Sequence, residues 1–506
     1  PPGGPERWSN IKDGHELYCA GHLYEAAVAW YEATGKRDLL EVALKNADLI
    51  CRVFGPGKRE DPPGHEEIEI GLVRLYRLTG EEKYLRQAKF FLDARGRPEG
   101  HRLYGKYAQD HKPVVEQEEA VGHAVRAAYL YTGMADVAAL TGDTAYVRAI
   151  RRIWEDVVSR KLYVTGGIGA AGHIEGFGAE YFLPNRTAYC ETCASVANAM
   201  WNHRMFLWTG DARYMDVVER VVYNAFLSGI SMQGDRFFYP NRLETGKGER
   251  RQPWFSCACC PANIVRFVPS IPGYAWAHTD RDVWVNLYMA GEARLKVGAV
   301  PVRFVERTRY PWEGRVTIEV RPDRPARFGL RLRLPGWARN EPVPSRLYRF
   351  VRQIDWTPRL RLNGRSVPAE LVDGYLRLER TWQAGDVVEL DLPMPPRRVV
   401  ADERVEADRG RVALQRGPLV FSLEAVDQPG GHVLDVAIPD EAPLWTSFRP
   451  DLLGGVQVIT GEGRLVGAGS EGTAKTDAGQ PFTGIPYYAW AHREPCAMTV
   501  WPLRAP

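Results

Sequence analysis

Apolar side chains in the first half of the chain recur three and four residues apart. Ile68, Leu72, Leu75 and Tyr76 do so before Thr79, and Tyr214, Val217, Val218, Val221 and Val222 do so after Thr209. That period lines one face of an α-helix. A short phrase punctuates it: Thr34-Gly35, Thr79-Gly80, Thr141-Gly142 and Thr209-Gly210. Each time an amphipathic run precedes the Thr-Gly and another follows within a few residues. Glycine closes a helix in the left-handed conformation, and the polar or acidic residues after it open the next. The pattern predicts helical hairpins at intervals of 45, 62 and 68 residues, which reads as a helical array. Six such hairpins close into an (α/α)6 toroid. Four signatures are visible, so a closed ring needs helices without the signature or helices ahead of the Pro-Pro-Gly-Gly start.

Between the third and fourth hairpins, Val164-Thr-Gly-Gly-Ile-Gly through Asn185 is glycine-rich and lacks helical spacing. Long loops inside compact domains usually carry function. After about residue 277 the period becomes two. Asp282-Val-Trp-Val-Asn-Leu-Tyr, Val316-Thr-Ile-Glu-Val and Phe328-Gly-Leu-Arg-Leu-Arg-Leu alternate, and Arg359-Leu-Arg-Leu-Asn-Gly runs into a hairpin turn. Short strands with turns about every ten residues predict β-sandwich material. Pro393-Met-Pro-Pro-Arg-Arg marks a second boundary. The expected division is 1–277 helical, 278–397 a β-sandwich and 398–506 a second β region.

The chain's 506 residues allow two to four domains. A hydrophobic share of 45% supports ordinary buried cores. A net charge of +3 argues against a nucleic-acid partner. No apolar run reaches 18 residues, which excludes a membrane-spanning helix.

Five of the eight cysteines sit in two short segments, Cys190-Glu-Thr-Cys193 and Cys257-Ala-Cys259-Cys260-Pro. Eight in a chain of this length is too sparse for a disulfide scaffold. Adjacent cysteines rarely bridge each other. Two distant clusters suit a soft metal, zinc by default; buried unreactive thiols and a disulfide pair are the alternatives. Cys19, Cys51 and Cys496 are expected to pack as small apolar residues.

Taken in order, Gly21-His22-Leu-Tyr-Glu-Ala-Ala, Gly64-His65-Glu-Glu-Ile-Glu, Gly122-His123-Ala-Val-Arg-Ala, Val164-Thr-Gly-Gly-Ile-Gly, Cys190-Glu-Thr-Cys-Ala-Ser and Cys259-Cys260-Pro-Ala-Asn resemble glycoside hydrolase family 127. The founding activity of that family is β-L-arabinofuranosidase. The resemblance spans about Trp8 to the end and is strongest through residue 270. It implies an (α/α)6 barrel catalytic domain followed by β-sandwich, jelly-roll-like domains, the barrel here lacking its first helices. It also implies Zn2+ held by Glu191, Cys193, Cys259 and Cys260, with Cys259 doubling as nucleophile. Glu175, in His-Ile-Glu-Gly-Phe, matches the general acid/base, although Ile174 and Gly176 stand where the family pattern has Gly and Ala. Glu180 is the alternative carboxylate. His22, His65, His123 and Tyr239 match sugar-contacting residues, the three histidines each following a glycine at a presumed helix start. Glu66 and Glu67 are expected to bias a helix N-terminus, and His203 to be a packing residue.

The chemistry is coherent. A retaining glycosidase needs a nucleophile and an acid/base group. A thiol with a pKa of about 8.5 becomes a thiolate on zinc. Cys259 would attack the anomeric carbon, and Glu175 would protonate the leaving oxygen and then activate water. The expected activity is release of non-reducing terminal β-L-arabinofuranose from a small carbohydrate substrate. Rival readings are a glycosidase for another sugar, a sugar epimerase on a helical toroid, and a non-catalytic or zinc-stabilised protein. Reduced thiols and no visible signal segment point to the cytoplasm; a homodimer is left open.

Overall fold

The computed structural model describes residues 7–466 and 479–506. The chain divides into two compact units that interleave in sequence. The first takes the residues up to Lys161, with Ile168–Glu180 and Met200–Trp208. The second takes Leu162–Gly167, Tyr181–Ala199 and Thr209–Pro506. The chain is thus a multidomain α and β protein, helical at its N-terminal end and built of sheets beyond.

The first unit holds α1 (Glu16–Thr34), α2 (Asp38–Val53), α3 (Ile68–Thr79), α4 (Glu82–Ala94), α5 (Ala124–Thr141) and α6 (Thr144–Asp156). The helix α7 (Thr192–Thr209) contributes residues to both units. The four Thr-Gly phrases end helices as expected. Gly35, Gly80, Gly142 and Gly210 take φ of 71°, 73°, 67° and 72°, where only glycine is unstrained. The threonines have a role of their own. Thr79 donates to the Leu75 carbonyl at 2.8 Å and accepts from the Glu81 N–H at 3.2 Å. Thr141 repeats this with Val137 and Asp143 at 2.7 and 3.3 Å. One hydroxyl thereby serves the last turn of one helix and the entry to the next.

Gly21 lies in the second turn of α1 rather than before a helix. A Cβ there would meet the backbone of Glu67 and Ile68 at 2.7 Å, and one at Gly71 would meet the Gly21 carbonyl at 2.6 Å. Two glycines therefore let α1 and α3 cross in close contact.

The second unit contains α8 (Ala212–Arg220), α9 (Cys259–Phe267) and three sheets. A six-stranded antiparallel sheet spans Gly291–Val297 to Asp386–Asp391, and a five-stranded sheet includes Trp276–His278, Ala326–Arg333 and Tyr375–Trp382. Period two holds: Val316, Ile318 and Val320 are buried along one face of Arg315–Pro322. Arg359–Leu362 and Arg365–Ser366 pair across Asn363-Gly364, both at positive φ, as a two-residue hairpin demands. The two sheets meet at Phe304, whose ring lies 5.0 Å from Trp276 and 6.1 Å from Phe328.

An eleven-stranded sheet takes over at Pro396–Ala401, within the proline-rich phrase. Its core includes Val412, Leu414, Phe421, Leu423, Ile459 and Phe482. It also recruits two pieces from elsewhere in the chain. Tyr348–Phe350 pairs with Val399–Ala401, and Glu244–Thr245 pairs with Met498–Thr499. Among the described residues no helix is long and apolar enough to cross a membrane.

Candidate active site

In the second unit, two loops carry the cysteines to the N-termini of two helices. Thr192 and Cys193 open α7, with the Ser195 N–H donating to the Glu191 carbonyl at 3.1 Å. Cys259 and Cys260 open α9, whose preceding residue Ala258 offers no side-chain cap. The free N–H groups and dipole of a helix N-terminus favour thiolate over thiol.

Glu191, Cys193, Cys259 and Cys260 bring one donor atom each to within 4.8 Å of all the others, a set that could hold a metal ion. Cys193 Sγ lies 3.5 Å from Cys260 Sγ, and Cys260 Sγ lies 3.9 Å from Cys259 Sγ. Glu191 Oε1 is 3.5 Å from Cys259 Sγ and 3.7 Å from Cys260 Sγ. All eight cysteines are free thiols. Cys190 is buried and Cys19 is exposed, so Cys19 does not pack inside as expected; it sits on the outer face of α1. Hydrogen bonds from Cys193 and then Cys260 pull the Cys259 thiol far below its usual range, against burial. Burial pushes Cys193 and Cys260 up.

Tyr239 stands beside Cys259, its hydroxyl 3.1 Å from Sγ. Burial, and next the charge of Glu191, raises this phenol well above its ordinary value, so its hydroxyl keeps its proton beside the sulfur. The loop bearing Tyr239 is stitched to the first cysteine loop. The Thr192 N–H donates to the Tyr239 carbonyl at 3.0 Å, and Asn241 Nδ2 donates to the Cys190 carbonyl at 2.9 Å. Gly229 permits this, since a Cβ there would meet the Thr192 side chain at 2.5 Å.

In the first unit, His22, His65, His123 and Glu175 gather around aromatic rings. Tyr18 lies 4.4 Å from the His22 ring and 4.3 Å from the His65 ring, and His65 lies 5.9 Å from His123. Tyr129 is 6.3 Å from His22 and 6.1 Å from His65. Only His123 caps a helix; His22 is inside α1, and His65 precedes α3 by three residues. The expectation of three helix starts is corrected here: Gly21 serves helix crossing, not capping. His65 is held neutral, chiefly by burial and then by the nearby Arg126. Its Nδ1 lies 2.9 Å from the Glu66 carbonyl oxygen, which accepts from it.

Glu66 and Glu67 flank the start of α3 but do more than bias it. Both are fully buried. Glu66 pairs with Arg95 at 2.9 Å, and Glu67 lies 3.3 Å from His22 Nδ1. Tyr18 and Tyr129 were not singled out in the sequence, although Tyr18 sits one turn before His22 on the same helical face. His203 is buried and stacks on Phe206, as a packing residue does.

Glu175 sits at φ 50° in a short turn and meets His123 Nε2 at 3.2 Å through Oε2. Gly176 follows it where the backbone leaves no room for a side chain. A Cβ there would fall 2.0 Å from the Gly122 carbonyl oxygen, so this turn lies flush on the entry to α5. Glu180 is exposed and pairs with Arg160 at 2.7 Å.

Residues 2–273 match the family model for the beta-L-arabinofuranosidase GH127 catalytic domain. Residues 282–394 match the GH127 middle domain, and 396–502 match the glycoside hydrolase family 127 C-terminal domain. The non-reducing end beta-L-arabinofuranosidase of Bifidobacterium longum subsp. longum is 36% identical, covering 98% of this chain and 80% of its own. The solved structure of a GH127 beta-arabinofuranosidase is 46% identical, with a TM-score of 0.94 over 99% of this chain and 79% of its own. That of a GH127 beta-L-arabinofuranosidase from Geobacillus stearothermophilus T6 is 40% identical, with a TM-score of 0.90 over 99% and 82%. The motifs, the fold and these likenesses agree: this chain is a glycoside hydrolase and belongs to glycoside hydrolase family 127.

Proposed function

We propose that this protein is a zinc-dependent retaining exo-glycosidase that releases non-reducing terminal β-L-arabinofuranose, with Cys259 as nucleophile and Glu175 as acid/base. The observation that carries the reading is the spacing of Glu191, Cys193, Cys259 and Cys260. Zn–S bonds of about 2.3 Å and a Zn–O bond of about 2.0 Å in tetrahedral geometry put sulfurs about 3.8 Å apart and sulfur from oxygen about 3.5 Å apart. Cys260 Sγ lies 3.5 Å from Cys193 Sγ and 3.9 Å from Cys259 Sγ, and Glu191 Oε1 lies 3.5 and 3.7 Å from the sulfurs of Cys259 and Cys260. Glu191, Cys193, Cys259 and Cys260 would hold the ion, which when bound keeps the thiols ionised and fixes their aim.

Cys259 then attacks the anomeric carbon. Its sulfur forms the new bond as the bond to the leaving oxygen breaks, and Glu175 transfers its proton to that oxygen. Glu175, now a carboxylate, takes a proton from water, which displaces the sugar from sulfur with net retention. The Tyr239 hydroxyl aims the thiolate by its hydrogen bond. His22 and His65 contact the sugar hydroxyls.

The helical region is read as an (α/α)6 barrel and the remainder as two β-sandwich regions, divided near 277 and 397. The partner is a small arabinofuranoside or arabino-oligosaccharide. Three reduced thiols in one cluster favour the cytoplasm.

The test is turnover of p-nitrophenyl β-L-arabinofuranoside by zinc-loaded protein, with the anomer followed by NMR. The expected result is L-arabinose released with retention, absent in Cys259→Ser and severely reduced in Glu175→Gln. Release of another sugar only, or epimerised product, overturns the assignment.

A further inference from the structure

His123 is the N-cap of α5. Its Nδ1 accepts a hydrogen bond from the Arg126 backbone N–H at 3.3 Å. A nitrogen that accepts carries no proton, so the proton of the neutral ring resides on Nε2. Nε2 lies 3.2 Å from Glu175 Oε2. The ring is held on other sides too. It is only 7% exposed, and Tyr107 and His65 meet it edge-on at 5.5 and 5.9 Å.

The backbone repeats the attachment. The Ala124 N–H donates to the Glu175 carbonyl at 3.0 Å, and the Phe177 N–H donates to the Gly122 carbonyl at 2.9 Å. The first turn of α5 thus grips the Glu175 turn through main chain and side chain together. Helix capping settles which ring nitrogen faces the carboxyl group.

We propose that His123 is a positioning residue for Glu175: the α5 cap locks its Nε2–H tautomer, and that N–H holds Oε2. With Oε2 accepting, the acid proton belongs on Oε1, the oxygen that delivers it to the leaving group. This rests on the acid/base role of Glu175 proposed above. The arrangement is the one used around metal-bound and catalytic imidazoles, where the hydrogen bond at one ring nitrogen decides the state of the other.

Two substitutions separate the two bonds. His123→Asn keeps an oxygen for the cap, asparagine being among the best N-caps, but is too short to reach Glu175. His123→Gln places an amide N–H near the old Nε2 position and caps poorly. Two substrates separate the two roles. Methyl β-L-arabinofuranoside has a poor leaving group that needs the acid; the 2,4-dinitrophenyl glycoside does not.

The expected result is that His123→Asn keeps its melting temperature and loses about 100-fold in kcat/KM on the methyl glycoside, the scale of general acid catalysis. On the dinitrophenyl glycoside it should stay within about threefold, because that leaving group needs no proton. His123→Gln should melt lower yet recover part of the methyl-glycoside activity. Equal losses on both substrates, or none, would overturn the proposal and return His123 to a sugar contact or a purely structural cap. Glu175→Gln is measured in parallel. If its loss also ignores the leaving group, the acid/base reading itself fails; if its loss follows the leaving group while that of His123→Asn does not, the positioning proposal alone fails.

Discussion

Trp490 stacks on Phe238 with ring centroids 5.0 Å apart and planes 20° from parallel. Phe238 immediately precedes Tyr239, whose hydroxyl meets Cys259. The C-terminal aromatic segment is therefore a support for the site. Arg251 strengthens the support: it lies 4.5 Å over the Phe238 ring and donates to the Trp490 carbonyl at 2.8 Å. The Val500 N–H donates to the Leu243 carbonyl at 2.8 Å, continuing the seam. Trp490→Ala is expected to lower stability by about 3–5 kcal/mol, as truncation of a buried aromatic does. Trp490→Phe should cost less and retain more turnover. Thermal melting and kcat on the arabinofuranoside check both, and an unchanged melt for Trp490→Ala would refute the support.

Metal loading should stand or fall with the four donors. Cys193→Ser leaves three good ligands and should bind about one zinc per chain only weakly, losing it on dialysis against a mild chelator. Binding free energy at such a site is also folding free energy. The wild-type protein should therefore melt at a lower temperature after chelation and recover on adding Zn2+. Elemental analysis with paired melting curves measures this; equal metal content in Cys193→Ser and wild type would remove Cys193 from the set.

Gly176 tests how closely the Glu175 turn must sit on α5. A methyl group there would overlap the Gly122 carbonyl oxygen, 2.0 Å away. Gly176→Ala must push the turn outward and carry Glu175 with it. A displacement of about 1 Å in a catalytic group can cost about 100-fold in rate. The variant is expected to fold and to lose activity on that scale, read as kcat/KM against the circular dichroism melt. Near-normal activity would show that the turn tolerates the shift.

Stability should fall as the pH rises from about 4 to about 7, in part because of Asp408. Burial pushes this carboxyl up to about 7, although Asn185 donates to it at 2.8 Å. Unfolded, it ionises near 3.8. Between those values unfolding releases a proton, so the folded state loses ground as the pH rises, and the loss is complete above about 7. The full effect is on the order of 4 kcal/mol. Asp408→Asn keeps the bond to Asn185 and removes the titration. Its melting temperature should exceed that of wild type at pH 8 and approach it at pH 4; a constant offset across the range would assign the shift to another group.

The helical half and its hairpins were legible from the sequence because two local codes report on them. Apolar spacing marks the buried face, and each Thr-Gly marks a helix end where φ is positive. The strands of 315–322 and the Asn363-Gly364 turn were legible for the same reason. The cysteine clusters at 190–193 and 257–260 were legible as a candidate soft-metal site, and the family resemblance then singled out Glu191, Cys193, Cys259 and Cys260. These features depend on residues close in sequence.

Other features required the fold. No local pattern announces that Tyr348–Phe350 leaves its neighbours to join a distant sheet, or that Glu244–Thr245 pairs with Met498–Thr499. Nor does Gly21 disclose that it serves a helix crossing instead of a cap, since that depends on the Glu67 and Ile68 backbone 46 residues later. The same holds for His123. The family resemblance of its Gly122-His123 motif named it as a candidate, while the direction of its two nitrogens came from Arg126 on one side and Glu175 on the other. Sequence alone determined which groups could do chemistry and which segments would be helices or strands. Tertiary structure decided which groups meet and which proton each holds, because those depend on distances of a few ångströms between residues far apart in the chain.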